Sequence, residues 1–334
     1  MLRRSFGLGA IAAAATLATR VPASAQDMKF FRIGTGGAGG TYFPIGGLLA
    51  NAISAPPGST PCNQGGSCGV PGLIAIAQSS NASVANVTSV QSGQSESGLA
   101  AADIVYQAFN AEGRFDRKFQ KLRVIANLFP EHMHLVLPKG GKLGGIKDLR
   151  GKRVGIFQAG SGTQVVVLEL LKIYGIEKRD IQAAELNPQQ SADRMADGQL
   201  DAFFIVGGSP LAAISQLAST KGIELYSFAD EEISAFLKVV PYYYADTIKA
   251  NTYAGVGYDV KTTAVGAQWV VNADVPEQLV YDITTALWND STRNLLDNGH
   301  VKARDIRLDS ALKAVNTPLH PGAERYYREK GVIK

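Results

Sequence analysis

Two glycine-rich segments carry the residues best suited to binding an anion. The first, GTGGAGGTY, runs from Gly34 to Tyr42, and the second, QAGSGT, runs from Gln158 to Thr163. Each is predicted to follow a strand and precede a helix, so each presents backbone N–H groups, hydroxyls and a helix N-terminus. Such groups bind an anion without a formal positive charge. Each segment could instead be a tight turn that needs glycine for a positive φ, but two of them favour a ligand held between two lobes.

The first segment also satisfies G-x-G-x-x-G through Gly34, Gly36 and Gly39, the fingerprint of dinucleotide sites. Such a site requires an acidic residue about 20 positions later to hold the ribose. Residues 33–95 contain no Asp, Glu, Lys or Arg, so we expect no nucleotide and no other cofactor. This uncharged stretch suits a cleft surface of neutral donors, although a well-packed lobe explains its apolar part equally well.

A G-x-S-x-G pattern surrounds Ser67, as in the nucleophile elbow of hydrolases. An elbow needs a strand before the serine and a helix after it, whereas here a proline-rich loop precedes and a Val-Pro-Gly turn follows. We therefore interpret the pattern as coincidental. The two cysteines of the chain, Cys62 and Cys68, flank this serine, and in an oxidising compartment we expect them to form a disulfide.

His132 and His134 alternate along a predicted strand, so they point to one face, as two metal ligands could. No third ligand with suitable spacing is evident among the four histidines and their neighbours. We expect histidines of the core or the cleft wall, and no metal. An extracytoplasmic hydrolase acting through Ser67, or a metal enzyme using the two histidines, is the alternative hypothesis. A third is an adhesion or scaffold protein with an unused cleft.

Residues 1–25 are predicted to be a secretory signal peptide. Arg3 and Arg4 precede an uncharged apolar run over residues 6–18, and small residues at 23–25 form a cleavage signal. The run is shorter than the about 20 residues that span a bilayer, which favours cleavage after Ala25 over a membrane anchor. The remaining chain has 30 basic and 29 acidic side chains, too balanced for a nucleic-acid partner. We expect the periplasm.

The rest of the chain alternates predicted strands and helices, which is typical of parallel α/β sheets. Among them we predict two separate strands over 122–128 and 133–137, a helix that Ser83 caps, and a helix from Thr163 to Tyr174. A chain of 334 residues suits two domains. We assign residues 27–135 plus 264–334 to lobe one and residues 136–263 to lobe two, joined by short crossing strands.

With these segments the sequence resembles the TAXI class of solute-binding proteins, the extracytoplasmic receptors of TRAP transporters. The resemblance covers essentially the whole mature chain. Ser83, Val84 and Asn86 fit the S-V-x-N pattern of the class. The ordered segments that carry it are IGTGGAGGTYFPIGGLLANAIS, SSNASVANV, SGQSESGLAAADIVYQAF, GIKDLRGKRVGI, QAGSGT, DGQLDAFFIVGGSP, PYYY and PLHPGAERYYREKG.

The resemblance implies a type II periplasmic-binding-protein fold, with two α/β lobes, a hinge and a ligand cleft, and no catalysis. It implies glutamate, glutamine or a related dicarboxylate such as 2-oxoglutarate as the ligand. The implied partners are the small and large TRAP membrane subunits, with uptake driven by an ion gradient, and the receptor is expected to be a monomer. Ala101 departs from the class, which usually has glutamine there, and this places glutamate specificity in doubt.

Ten residues are predicted to bind the ligand, with a ligand carboxylate at the QAGSGT loop. The hydroxyls of Ser161 and Thr163 are the expected donors there, although Thr163 could instead be only the N-cap of the following helix. Tyr243 could equally be a packing residue. The ten are Thr35, Gly36, Tyr42, Ser83 and Asn86 from lobe one, and Ser161, Gly162, Thr163, Gly207 and Tyr243 from lobe two.

Overall fold

The computed structural model describes residues 28–334, and the predicted signal peptide lies outside them. Within this range the chain forms strands β1 Lys29–Gly34, β2 Ser54–Ala55, β3 Val70–Pro71, β4 Leu73–Gln78, β5 Ser97–Ala101, β6 Leu122–Pro138, β7 Arg153–Gly155, β8 Gln182–Ala184, β9 Ala202–Gly207, β10 Ile223–Leu225, β11 Tyr244–Ile248 and β12 Val260–Asn272.

The α-helices of the same range are α1 Tyr42–Ile53, α2 Ser83–Ser92, α3 Ala102–Asn110, α4 Gly162–Ile173, α5 Pro188–Ala196, α6 Ala212–Thr220, α7 Asp230–Val239, α8 Glu277–Leu287, α9 Asp290–Gly299 and α10 Pro321–Glu329. Short 3₁₀ helices lie at Cys62–Gln64, Ile146–Leu149, Lys178–Asp180, Val301–Asp305 and Leu308–Ser310. Most α-helices follow a strand, as the alternating pattern predicts.

The main sheet has the strand order β4-β1-β5-β12-β6-β9-β7-β8, with β10 paired to β6 and β11 paired to β12. Its two wings are parallel, because β1 is parallel to β4 and β5, and β7 is parallel to β8 and β9. Between the wings, β12 is antiparallel to β5 and β6. We call the part around β1, β4 and β5 lobe one, and the part around β7, β8 and β9 lobe two.

Two long strands are shared by both lobes. Strand β6 pairs with β12 from Leu122 to His132 and then with β9 from His132 to Val136. Strand β12 pairs with β5 near its end and with β11 near its start. The predicted lobe boundaries at 135/136 and 263/264 therefore fall inside these two strands, and the division of the chain at those residues stays a prediction.

The prediction of two separate strands over 122–137 is wrong, because β6 is continuous through Pro130. Proline lacks an N–H group and so usually ends a strand or lies at an edge. Pro130 lies opposite Gly266 of β12, and the pairing of β6 with β9 starts only at His132. The proline thus occupies the gap between the two lobes, where β6 needs no donor on its other side.

Buried side chains form three clusters, one of which belongs to both lobes. One cluster packs α1, α8 and α10 on lobe one, around the fully buried Trp269. A second packs α5 and α6 on lobe two. The third joins Val87 and Ile104 of lobe one to Val167 and Leu170 of lobe two. Burying a Val, Leu or Ile side chain contributes about 1.5–3 kcal/mol, so this shared cluster stabilises contact between the lobes.

The predicted disulfide between Cys62 and Cys68 is present. It closes a surface loop of lobe one beside β2 and β3, where the side chain of Asn289 donates a hydrogen bond to the carbonyl of Cys68 at 3.1 Å. The Ser67 hydroxyl inside this loop donates to the carbonyl of Ser54. The next element after Ser67 is the short strand β3 rather than a helix, which agrees with the interpretation of the G-x-S-x-G pattern as coincidental.

We expect the double variant Cys62→Ser/Cys68→Ser to fold and to lose about 2 kcal/mol of stability. A loop of this length restricts the unfolded chain only modestly in the chain-entropy estimate. Urea unfolding of the variant, compared with the oxidised parent and with the parent under reducing conditions, measures the loss. A variant that cannot fold would show that the bridge determines the fold of lobe one.

Candidate functional site

A cavity lies between the lobes, at the ends of the sheet strands of both lobes. The starts of six helices line it: Thr41 and Tyr42 at α1, Ser83 at α2, Ala101 before α3, Gly162 and Thr163 at α4, Pro188 at α5, and Leu211 before α6. Strand residues Glu131, Ile205 and Gly207 complete the wall with Phe157 and Tyr243. The cavity has a volume of about 40 Å³, which is room for a few water molecules.

The lobes are closed over this cavity by direct hydrogen bonds. The Thr41 hydroxyl donates to the carbonyl of Gly208 at 2.7 Å, and the N–H of Ala213 donates to the carbonyl of Gly39 at 3.1 Å. On the other side, the N–H of Ala85 donates to the carbonyl of Gly160 at 3.0 Å. Both glycine-rich segments therefore contact the opposite lobe as well as the cavity.

Seven of the ten predicted binding residues line the cavity: Gly36, Tyr42, Ser83, Gly162, Thr163, Gly207 and Tyr243. The other three, Thr35, Asn86 and Ser161, lie behind the wall and are buried. The structure thus brings together the two glycine-rich segments, as the sequence predicts, and gives three of the polar residues a different place.

Thr35 and Asn86 hold lobe one together. The Thr35 hydroxyl donates to the carbonyl of Gln78 at 2.7 Å. The amide of Asn86 donates to the carbonyls of Thr35 and Leu99, both at 2.7 Å. A Cβ at Gly34 would lie 2.6 Å from the Oδ1 atom of Asn86, so a glycine at this position is required for Asn86 to approach the strand. These contacts position the loop that lines the cavity.

Ser161, and not Thr163, is the N-cap of α4. Its hydroxyl accepts a hydrogen bond from the N–H of Gln164 at 3.1 Å and donates to the carbonyl of Gln158 at 2.7 Å. The Thr163 hydroxyl accepts from the N–H of Val206 at 3.1 Å. Both predicted hydroxyl donors therefore already have partners within the protein, and the free groups of this segment are at the backbone.

Ser83 is the first residue of α2 rather than its cap. The residue before it, Ala82, has a φ of 70° and makes no capping bond. The Ser83 hydroxyl accepts from the N–H of Ala101 at 3.1 Å and lies 3.5 Å from the Tyr42 hydroxyl. Ala101 itself lines the cavity, so the small side chain at this position is part of the cavity wall.

Glu131 was not predicted from the sequence, and it is the one lining residue of the described chain with an ionisable carboxyl group. Its side chain is buried, and its Oε2 atom accepts a hydrogen bond from the Tyr42 hydroxyl at 2.6 Å. Burial raises the pKa of Glu131 to about 8. The signal was visible in the sequence, because Glu131 is the one acidic residue between Asp116 and Asp148 and lies within an apolar strand.

Two of the lining residues are tyrosines whose phenol groups are influenced by the charge of Glu131. Burial, and then the neighbouring acidic groups, raise the pKa of Tyr42 and of Tyr243 well above the ordinary value. Both phenols therefore remain protonated hydrogen-bond donors at neutral pH. The Tyr243 ring also packs edge-on against Phe236, with centroids 5.3 Å apart, so it serves packing and the cavity wall together.

His132 and His134 point to one face and bond to one shared group. His132 Nδ1 lies 3.0 Å, and His134 Nε2 3.1 Å, from the Ser209 hydroxyl. His132 also contacts Asp246 at 3.2 Å, and His134 contacts the Tyr253 hydroxyl at 2.9 Å. Burial lowers the pKa of both rings, that of His134 to about 3. They are core histidines, and residues 28–334 contain no group of three potential ligands placed to hold a metal ion.

We expect Ser161→Ala to lower the free energy of unfolding by about 1 kcal/mol, the usual effect of losing a serine N-cap. Ser59→Ala removes an exposed serine hydroxyl and should change stability by less than about 0.5 kcal/mol. Chemical denaturation of both variants gives the comparison. Equal stability of Ser161→Ala and the parent would contradict the assignment of the cap.

Comparison with known proteins supports this architecture. The chain is similar to PhnD1 from Prochlorococcus marinus (MIT 9301), solved with methylphosphonate (13% identity, TM-score 0.51, 91% of this chain and 99% of that chain). It is also similar to a periplasmic transporter (11%, 0.52, 91% and 93%) and to a protein of Bordetella bronchiseptica RB50 (14%, 0.50, 90% and 81%). These likenesses confirm the predicted type II periplasmic-binding-protein fold.

No helix within residues 28–334 is both long and apolar enough to cross a membrane. A family model described as the NMT1-like family matches residues 33–331. Since this match covers nearly the whole of the described chain, the protein belongs to the NMT1-like family.

Proposed function

We propose that this protein is a non-enzymatic periplasmic receptor that encloses a small carboxylate between its lobes. The observation that carries the proposal is the convergence of six helix N-termini on one closed cavity. The first N–H groups of a helix have no partner within the helix and carry partial positive charge. An anion in the cavity is thus met by several such groups at once.

The charge pattern of the wall supports an anionic ligand held by neutral donors. No lysine or arginine lines the cavity in the described chain, and the uncharged segment 33–95 contributes Gly36, Tyr42 and Ser83 to it. In this proposal the QAGSGT loop binds the ligand through the backbone N–H groups of Gly162 and Thr163, because the hydroxyls of Ser161 and Thr163 are already bonded within the protein. The small cavity favours a ligand of few non-hydrogen atoms or a partial opening of the lobes.

Backbone strain also marks this site. Ala82 and Phe157 line the cavity with φ values of 70° and 69°, a region that non-glycine residues seldom adopt. Such strain clusters where a protein clamps a ligand. Ala82 directly precedes α2, and Phe157 directly precedes the QAGSGT loop that leads into α4, so the strain supports a backbone shaped for binding.

The finer assignment rests on the resemblance to the TAXI class. It gives glutamate, glutamine or a dicarboxylate such as 2-oxoglutarate as candidate ligands, and delivery to TRAP membrane subunits as the next step. Periplasmic location rests on the predicted signal peptide. Helix N-termini alone do not distinguish a carboxylate from a phosphonate, and the structurally similar PhnD1 was solved with methylphosphonate, so a phosphonate belongs in the test.

The contacts of the candidate catalytic residues argue against the alternative of an enzyme. Ser67 bonds to the carbonyl of Ser54 in a disulfide-closed loop, away from the cavity. His132 and His134 bond to Ser209 and do not line the cavity. Neither group has the base or third ligand that its chemistry requires.

Native mass spectrometry of the purified protein tests the proposal by weighing any co-purified ligand. Calorimetric titration then compares 2-oxoglutarate, glutamate, glutamine and methylphosphonate. Stoichiometric binding of a carboxylate without turnover supports a receptor, and uptake by TRAP membrane subunits reconstituted with this protein tests delivery. Absence of binding by every carboxylate would reject the proposal.

We expect Gly39→Val to weaken ligand binding about 5- to 150-fold. A Cβ at Gly39 would lie 3.1 Å from the Cβ of Ala213 and 3.2 Å from that of Pro188, both on lobe two. Overpacking of this kind costs about 1–3 kcal/mol, and here it falls on the closed state. Calorimetric titration with the identified ligand measures the change.

The matched control is Gly47→Val, because a Cβ at Gly47 would meet nothing within 4 Å beyond its chain neighbours and the backbone of its own helix. It should bind as the parent does. Parent-like affinity of Gly39→Val would show that binding does not require this contact between the lobes.

A further inference from the structure

The carboxyl group of Glu131, which lines the cavity, has one oxygen bonded to the protein and one left without a partner in the described chain. Its Oε2 atom accepts from the Tyr42 hydroxyl at 2.6 Å. Within the described chain its Oε1 atom has no hydrogen-bond partner and is not fully enclosed by protein atoms, and the open space beside the residue is the cavity. The side chain as a whole is 3% exposed. Oε1 is therefore a polar group held in a buried position and presented to whatever occupies the cavity.

Few neighbouring groups favour the ionised form of the Glu131 carboxyl. Burial is the dominant influence and raises the pKa of Glu131 to about 8; Asp103 acts in the same direction, and the Tyr42 hydrogen bond and Lys302 oppose it. Lys302 is buried and paired with Asp305 at 2.8 Å. The titratable or charged groups around Glu131 are Tyr42 on α1, Asp103 on α3, Tyr243 before β11, Lys302 in the 3₁₀ helix Val301–Asp305 and His132 on β6.

The position of the proton follows from the Tyr42 contact. Because the tyrosine remains protonated and donates to Oε2, a neutral Glu131 carries its own proton on Oε1. Neutral Glu131 therefore offers a hydrogen-bond donor to the cavity, whereas ionised Glu131 would offer only acceptors. This donor complements the helix N-termini, since both favour an oxygen anion.

We propose that neutral Glu131 donates through Oε1 to an oxygen of the bound anion, so that the receptor selects carboxylates without an amino group over the corresponding amino acids. This inference rests on the proposed function. An ammonium group would need an ionised Glu131 and would place its charge among six positive helix ends. A 2-oxo acid has no ammonium group, so it requires no ionised Glu131 and places no positive charge among the helix ends.

The proposal fixes the direction of the pH dependence. The ligand binds the protonated form of Glu131, so the pKa of this group is higher in the complex than in the free protein. Affinity is then constant below about pH 8 and falls up to tenfold per pH unit above it, until the pKa of the complex is reached. Burial also raises the pKa of Asp103 to about 7, and Asp103→Asn removes this second titration.

Calorimetric titration at pH values from 6 to 9.5 tests the inference with two matched pairs, 2-oxoglutarate with glutamate and pyruvate with alanine. The proteins are the parent, Asp103→Asn, and Glu131→Gln and Glu131→Ala in each background. We expect the 2-oxo acid of each pair to bind at least tenfold more tightly, and its affinity to fall above pH 8 with and without Asp103.

Glu131→Gln keeps an uncharged donor at this position, so we expect its affinity for the 2-oxo acid to be independent of pH above 8. Glu131→Ala lacks the donor and should bind about ten- to hundredfold more weakly than Glu131→Gln at pH 6. Thermal unfolding of each variant confirms that it is folded before binding is compared.

Tighter binding of the amino acids, an affinity that rises with pH, or a Glu131→Gln variant no better than Glu131→Ala would overturn the inference while leaving a carboxylate receptor in place. If no carboxylate binds the parent at any pH, the proposed function fails and this inference fails with it.

Discussion

The ladder of hydrogen bonds between β6 and β12 joins the two lobes into one sheet. These strands pair from Leu122 with Asn272 to His132 with Ala264, with two register shifts on the way. On each side of the ladder the strands are parallel, and parallel strands in α/β folds direct the following helices to the same edge of the sheet. The helix starts of both lobes therefore meet over the ladder, and the cavity forms where they meet.

In this arrangement an anion is attracted by helix dipoles and not by charged side chains. The dipoles of α1 to α6 are fixed in the fold, so they need no reorganisation when an anion enters. A buried lysine or arginine in the wall would have to lose its hydration first. Lys302, whose charge opposes the raised pKa of Glu131, is instead paired with Asp305. Among the described residues Glu131 is the one carboxyl of the wall, and burial raises its pKa.

Local sequence patterns predicted the fold and the two loops because strand, glycine turn and helix are short-range features. Gly36, Tyr42 and Gly162 follow directly from them. Asn86 lies in α2, and its amide bonds to Thr35 and Leu99, which are distant along the chain, so local patterns do not reveal its role. Ser161 lies in the second loop, but its hydroxyl bonds to Gln158 and Gln164 as the cap of α4, a role that the sequence offered to Thr163. The face on which Glu131 lies depends on the register of β6 through Pro130. Because a proline is expected to end a strand, the sequence pattern does not predict that register.

The position of β12 in the sheet has a consequence for the order in which the chain can fold. It lies between β5 and β6, yet it follows them by well over a hundred residues. All of the strands of lobe two precede β12. A chain that folds from its N-terminus can therefore assemble that lobe while lobe one still lacks the strand between β5 and β6. Until residues 260–272 arrive, β5 and the first half of β6 expose unpaired edges, and such edges recruit other chains. Association with other chains is therefore most favoured before residues 260–272 have paired.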